Sequence, residues 1–239
     1  YTNSCGCLTM SLFPIFAPVT AAAATVTYTD NKVSDAASTA IRTFNSVDIG
    51  TASDDRVVIV SIGTGGGGGG TDDCTSVTVG GTALTKQFSR LHTDHLIAQF
   101  WAGTITSGTS ATIVVTWARA ANASGIGVWA TTGLDISGGT TDTGSAVRSS
   151  SSADVSADLN ISAGGIALAY SVNLAAEDVN PTYSHTNLTT NFNHSYDYAR
   201  SGGGASAAFA AAQTGLTLTN ATNATNQLGV TIFASFPPA

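Results

Sequence analysis

The stretch RVVIVSIGTGGGGGGTDDC, Arg56 to Cys74, decides how the chain is read. Val57 to Ile62 is a continuous apolar run of strand length, as expected for a strand covered on both faces. The glycines after it pose the question of a nucleotide site. Gly63-x-Gly65-x-x-Gly68 formally fits a dinucleotide fingerprint, which requires a helix to follow at once so that its N-terminus faces the pyrophosphate. Here Thr71 to Val79 (TDDCTSVTV) continues as a turn and a strand. A phosphate loop would end in Gly-Lys-Ser/Thr, whereas this one ends beside Asp72 and Asp73, which repel phosphate. The glycines therefore read as an inter-strand loop that is entropically costly to order.

Working outward, the chain keeps a period of two or short apolar runs, punctuated by Gly, Ser, Asn and Asp. Strands are expected at Thr25–Thr29, Ile41–Ile49, Leu96–Trp101, Ala111–Trp117, Ile126–Ala130, Val155–Ile161, Ile166–Val172, Ala205–Gln213, Leu216–Thr219 and Leu228–Phe236. In the second of these, Ile41, Thr43, Asn45, Val47 and Ile49 are expected on one face. Ser76 to Leu84 reads as a hairpin, with Gly80-Gly81 able to take the positive φ values of a type I′ turn. Ser34 to Ala40 reads as a turn. Gly133–Ser152 and Glu177–Gly204 read as long loops. The second holds Tyr183, His185, Phe192, His194, Tyr196 and Tyr198, and aromatics on a polar loop suit a ligand or subunit contact.

The fold class that follows is all-β: an antiparallel, jelly-roll-like sandwich of roughly a dozen strands, forming a single domain over residues 25–239. Residues 1–24 precede it as an extended apolar arm. Leu8–Ala24 is uncharged, but Pro14 and Pro18 spoil a membrane helix and the run falls short of ~20 apolar residues. It also resembles a signal-peptide core without the basic flank. Read as an arm, it offers Leu8, Leu12, Phe13, Ile15, Phe16 and Val19 to a neighbouring subunit.

Composition excludes several roles. Charged residues are 10% of the 239 and the net charge is −7, against roughly 25% charged in ordinary soluble domains. Only Lys32 and Lys86 are lysines and the arginines are scattered, so no basic stripe exists to displace counterions from nucleic acid. His92-Thr-Asp-His95 on a strand would splay its imidazoles. Asp54-Asp55 and Asp72-Asp73 lack the alternating acidic spacing of a calcium loop. No Gly-x-Ser-x-Gly elbow and no paired carboxylates stand out. The expectation is no enzyme, no catalytic residues, no metal and no cofactor. Three cysteines, Cys5, Cys7 and Cys74, make no disulfide framework, although one bridge from the arm to Cys74 stays open.

Several phrases then carry a resemblance: RVVIV from Arg56, TSVTVGGTA from Thr75, FWAG from Phe100, TSGTSATIVVT from Thr106, GIGVW from Gly125, SAGGIALA from Ser162 and AAQTGL from Ala211. From about Thr43 onward the chain resembles the Gly/Ser/Thr-rich β-sandwich structural proteins of tailed-bacteriophage virions. That likeness implies a virion structural role, foremost a head decoration or cement protein on the capsid's outer surface. The expected partners are copies of itself, as a trimer or other closed ring, and the major capsid or other virion proteins. A tail-fibre or receptor-binding module recognising surface glycan is the alternative. A secreted filament subunit, joined by strand addition of the arm, is another.

Overall fold

The computed structural model describes residues 22–34, 39–65, 73–92, 96–121, 123–149, 154–174, 181–197, 200–223 and 228–239. The arm residues Leu8 to Val19, Cys5, Cys7, His95, Tyr198 and the glycines Gly66 to Gly70 lie outside them.

The chain is all-β. Its N-terminal half comprises β1 (Thr25–Ser34), β2 (Thr39–Asp48), β3 (Val57–Gly65), β4 (Cys74–Val79), β5 (Thr82–Ala83), β6 (Thr85–Leu91), β7 (Ile97–Thr104), β8 (Ser110–Ala121) and β9 (Ala123–Thr132). These strands form an outer sheet, β2-β8-β4-β5, and an inner sheet, β1-β9-β3-β7-β6. The C-terminal half comprises β10 (Asp142–Arg148), β11 (Val155–Ile161), β12 (Ile166–Leu174), β13 (Tyr183–Thr186), β14 (Thr189–Asp197), β15 (Arg200–Ala208), β16 (Gln213–Thr222) and β17 (Leu228–Phe236). It forms an inner sheet, β10-β17-β12-β15-β14, and an outer one, β11-β16-β13.

Both halves nest their antiparallel pairs alike. The first strand pairs with the last (β1 with β9, β10 with β17), the second with the second-last (β2 with β8, β11 with β16), and the third with the strand before that (β3 with β7, β12 with β15). This is the wrap of a jelly roll, one long hairpin folded over on itself. Residues 25–239 therefore hold two sandwiches of equivalent topology where the sequence suggested one.

The inner sheets face each other, so the four sheets form consecutive layers. Val58, Val60 and Ile62 of β3 pack with Phe44, Val77, Ile113, Val115 and Trp117 of the outer N-terminal sheet. The alternate residues Val57 and Ile59 pack across the seam against Ile166, Leu168, Ile232 and Phe236 of the other half. A strand with both faces covered has no polar side to present, which explains the apolar run, whose one polar residue, Ser61, is buried and accepts from Gly127 N. β12 occupies the same place in its own half. Its Ile166, Leu168, Tyr170 and Val172 enter the seam, while Ala167 and Ala169 meet Leu159 and Leu218 of the outer C-terminal sheet. Each large apolar side chain buried this way stabilises by about 1.5–3 kcal/mol.

Several local expectations hold. Gly80 and Gly81 take φ of 57° and 86° and turn β4 into β5, and β11 and β17 keep their expected bounds. Others are corrected. β2 does not keep one face: Ser46 sits at φ 51° in a bulge between Phe44 and Val47. Ile41, Thr43 and Asn45 point to solvent, and Phe44, Val47 and Ile49 are buried, because one extra residue reverses the side-chain alternation. The region read as a loop from Gly133 contains β10, and the one from Glu177 contains β13 and β14. The alanine-rich run is strand to Ala208 and turn thereafter.

The seam closes through glycines. A Cβ on Gly125 would lie 2.2 Å from Tyr196 Cε1 and 2.8 Å from His194 Cε1, and one on Gly63 would lie 2.3 Å from Val172 Cγ2. Gly63, the first residue of the opening puzzle, is thus a packing residue. Gly125→Ala is expected to destabilise by about 2 kcal/mol through overpacking. Gly138→Ala, with nothing within 4 Å, is the control. Equal urea midpoints for the two variants would refute the tight seam.

Candidate functional site

Of the residues expected on a contact loop, Tyr183, His185, Phe192, His194 and Tyr196 lie instead on two strands with their rings turned inward, and Tyr198 lies outside the described residues. Tyr183 and His185 of β13 project between the two C-terminal sheets. Tyr183 Oη bonds Ser201 Oγ at 2.7 Å and accepts from Asn173 Nδ2 at 2.9 Å. His185 Nδ1 lies 3.0 Å from Thr190 Oγ1. Phe192, His194 and Tyr196 of β14 enter the seam instead. Phe192 stacks on Tyr28 with centroids 5.3 Å apart, and the Tyr170 and Tyr196 hydroxyls share a hydrogen bond. Trp129 Nε1 reaches across to Asn191 Oδ1 at 2.8 Å. In this arrangement the described rings build the interior, with Tyr183, Phe192 and Tyr196 buried and His185 and His194 partly so. Burial raises the Tyr170, Tyr183 and Tyr196 hydroxyl pKa values. It lowers His185 to about 4 and His194 to about 3.

Other chemistry-bearing residues are likewise occupied by structure. Cys74 is a buried free thiol, pushed up to about 12 by desolvation. His92 is buried. Among the described residues no three His, Cys, Asp or Glu side chains converge. After the glycine run, the next described residue, Asp73, leads directly into β4, and no helix stands there among the described residues. Asp73 is engaged by Lys86 Nζ at 2.8 Å and by Gln99, and Lys86 sits 5.2 Å from the Trp101 ring centroid. Among the described residues no helix is long and apolar enough to cross a membrane.

Two features open to solvent stand out among the described residues. The first is the pair of outermost sheet faces. On the N-terminal one, Ile41, Thr43 and Asn45 of β2, Thr112, Val114 and Thr116 of β8, and Ser76 and Thr78 of β4 form rows of uncharged side chains, with exposed Asp48 and Arg119 toward the strand ends. On the C-terminal one, Ser156 bonds Thr219 at 2.9 Å and Thr217 donates to Asp158 at 2.6 Å.

The second is a cleft of 450 Å³ at one end of the N-terminal jelly roll, lined by Thr25, Thr27, Thr29, Asp48, Thr51, Thr109 and Thr132 among others. Arg56 braces it from beneath. Its Nε donates to Ile105 O (2.7 Å), Nη1 to Gly50 O (2.6 Å) and Gly108 O (2.8 Å), and Nη2 to Ser107 O (2.7 Å). One guanidinium thus joins the 48–51 and 105–109 loops. Asp48 is fixed as well: its Oδ1 accepts from Gly50 N at 2.7 Å, its N donates to Asp30 Oδ2 at 3.0 Å, and its carbonyl accepts from Thr29 Oγ1 at 2.8 Å. This constellation joins residues far apart in the chain. Its two visible signals were the Thr25-x-Thr27-x-Thr29 alternation and a lone arginine at the head of an apolar strand.

No family model, no curated protein and no solved structure matches the chain.

Proposed function

We propose that this chain is a structural subunit of a tailed-phage virion, foremost a decoration or cement protein that reinforces the shell as a homo-oligomer. One observation carries the reading: the outer faces of the stacked jelly rolls are rich in exposed hydroxyl side chains, and among the described residues the exposed ionisable groups on the strands of the N-terminal one are Asp48 and Arg119, both near strand ends. On a chain of net charge −7, such a face is where like copies approach with least repulsion. The interior supports the same role. Among the described residues the seam aromatics, His194 and Cys74 are committed to packing, which suits a part selected for shape and rigidity. The resemblance in the strand-and-turn phrases points the same way. A tail-associated, glycan-recognising role is favoured by a different observation, the threonine-lined cleft.

Quantitative mass spectrometry of purified particles tests the proposal. Decoration requires a copy number comparable to the shell subunit, whereas a fibre role gives a few to tens of copies. Absence from the particle overturns both.

A further inference from the structure

We infer that the cleft on the N-terminal jelly roll is a carbohydrate site, holding one hydroxyl-rich sugar residue between Asp48 and the hydroxyls of Thr27, Thr51 and Thr109. The inference needs only the isolated chain and stands whether or not the virion reading does.

The cleft's volume of 450 Å³ falls within the ~300–1,000 Å³ usual for small-molecule sites. Its walls are set in advance. Arg56 joins the two loops that form them, and Asp48 is tied at its amide, its carbonyl and Oδ1. Binding therefore need not order these loops, which removes a usual cost of association. The rim leaves selected groups available. Thr25 and Thr132 bond each other and Thr29 is used internally. The side chains of Thr27, Thr51 and Thr109 are exposed, and no described residue bonds them. Asp48 Oδ2 has no partner among the described residues.

That set selects its ligand by chemistry. A carboxylate oxygen accepts charge-assisted hydrogen bonds from adjacent ring hydroxyls, and threonine hydroxyls both give and accept. Ala130 and the threonine methyls offer small apolar contacts to a sugar's C–H face. An anion is disfavoured, because Asp48 repels it and the Arg56 guanidinium is engaged by four carbonyl contacts. A divalent cation is disfavoured, because calcium takes 6–8 oxygens, largely from carboxylates and carbonyls, and here one carboxylate stands among hydroxyls. The one aromatic lining residue, Tyr28, has its ring stacked on Phe192 and is not free to serve as a platform for a sugar. Single-site affinity is accordingly expected in the millimolar range. Repetition of the site on an assembly would raise it by avidity, and only this last point rests on the structural-subunit reading.

The test is amide-shift mapping by NMR on the full chain, titrated with free hexoses, 6-deoxyhexoses and N-acetylhexosamines. At least one sugar class should shift Thr27, Gly50, Thr51 and Thr109 saturably, with no matching effect from glycerol. Asp48→Asn, which keeps the oxygen that accepts from Gly50, and Thr51→Val should each weaken binding about tenfold without lowering the melting temperature. Three outcomes overturn the inference: no sugar shifts these amides, glycerol shifts them equally, or calcium alone reproduces the pattern. Particle mass spectrometry is independent of all three.

Discussion

Lowering the pH from 7.5 to 5 is expected to cost the protein on the order of 4 kcal/mol of stability, through His194 and His185. Both ring nitrogens of His194 are sealed from solvent without a hydrogen-bond partner, although the residue as a whole is only half-buried. Its surroundings are Phe192 and Tyr196 on its own strand, Tyr170 on β12 and the backbone of Gly125 and Gly202. None of these is anionic in this range, because both tyrosines are shifted upward by burial. His185 Nε2 is sealed too. Desolvation lowers the two imidazoles to about 3 and about 4. The unfolded chain protonates them near 6.5 and the folded chain does not. Stability is therefore complete above pH 6.5 and is lost progressively as the pH falls toward 4. Each group contributes about 1.4 kcal/mol per pH unit in that window. Against a total of ~5–15 kcal/mol for a typical fold, the loss brings the protein close to unfolding. Asp55 and Asp135 have lowered pKa values from hydrogen bonds to Ser53 and Ser137, so their contributions persist down to about pH 4 and do not confuse the window. Urea denaturation at the two pH values reads the effect. His194→Leu should remove about half of it, and superimposable wild-type curves would show that the rings are not held neutral by burial.

The same histidine marks where the sequence stops being legible. β14 alternates Phe192, His194 and Tyr196 toward the seam, which is strand periodicity. Polar residues between them and a histidine counted as polar made it read as a loop. β10 was hidden similarly: it holds Asp142, Thr143, Gly144 and Ser145, and Gly144 is there for close approach, since a Cβ would lie 2.4 Å from Ala157 Cβ. A glycine that accepts a neighbour looks, in sequence, like a glycine that makes a turn. The all-β class and the two-sided burial of β3 were readable because they depend on local pattern. The duplication was not, because it resides in pairing order. β7 fills its position with Phe100 and Trp101, and the equivalent β15 has Gly203 and Gly204. The latter accommodates Phe192 and Trp129, which lie 2.4 and 3.0 Å from where its Cβ would sit. Surfaces that pack against each other need complementary sizes, and complementarity erases likeness. The cleft is illegible in the sequence for a related reason: Thr27, Thr51 and Thr109 are far apart in the chain and meet only once the jelly roll closes.

Arg56 is the residue whose loss should cost most. It is fully buried, meets no carboxylate directly, and places four donor contacts on the carbonyls of Gly50, Ile105, Ser107 and Gly108. Its own backbone completes the clamp, with Arg56 N donating to Ser53 O and Ile105 N to Arg56 O, both at 3.1 Å. Desolvation lowers its pKa while Asp48 opposes the shift, and a guanidinium has ample margin to stay charged. Arg56→Met keeps the buried stem and strips the donors, leaving four carbonyls that must find water or go unpaired. Partial rehydration near the cleft moderates the penalty, and the expected loss is on the order of 4 kcal/mol. Arg56→Lys should recover less than half, because a compact ammonium cannot span carbonyls on two loops as a planar fork does. Hydrogen exchange separates a clamp from mere burial. In Arg56→Met, amides at the ends of the two loops, Gly50 and Ile105 among them, should exchange faster even under conditions where the fold is intact. Amides of β12 and β17 in the other jelly roll should hold their protection. If Arg56→Met unfolds within ~1 kcal/mol of wild type, or if protection falls uniformly across both halves, the guanidinium is not what holds these loops together.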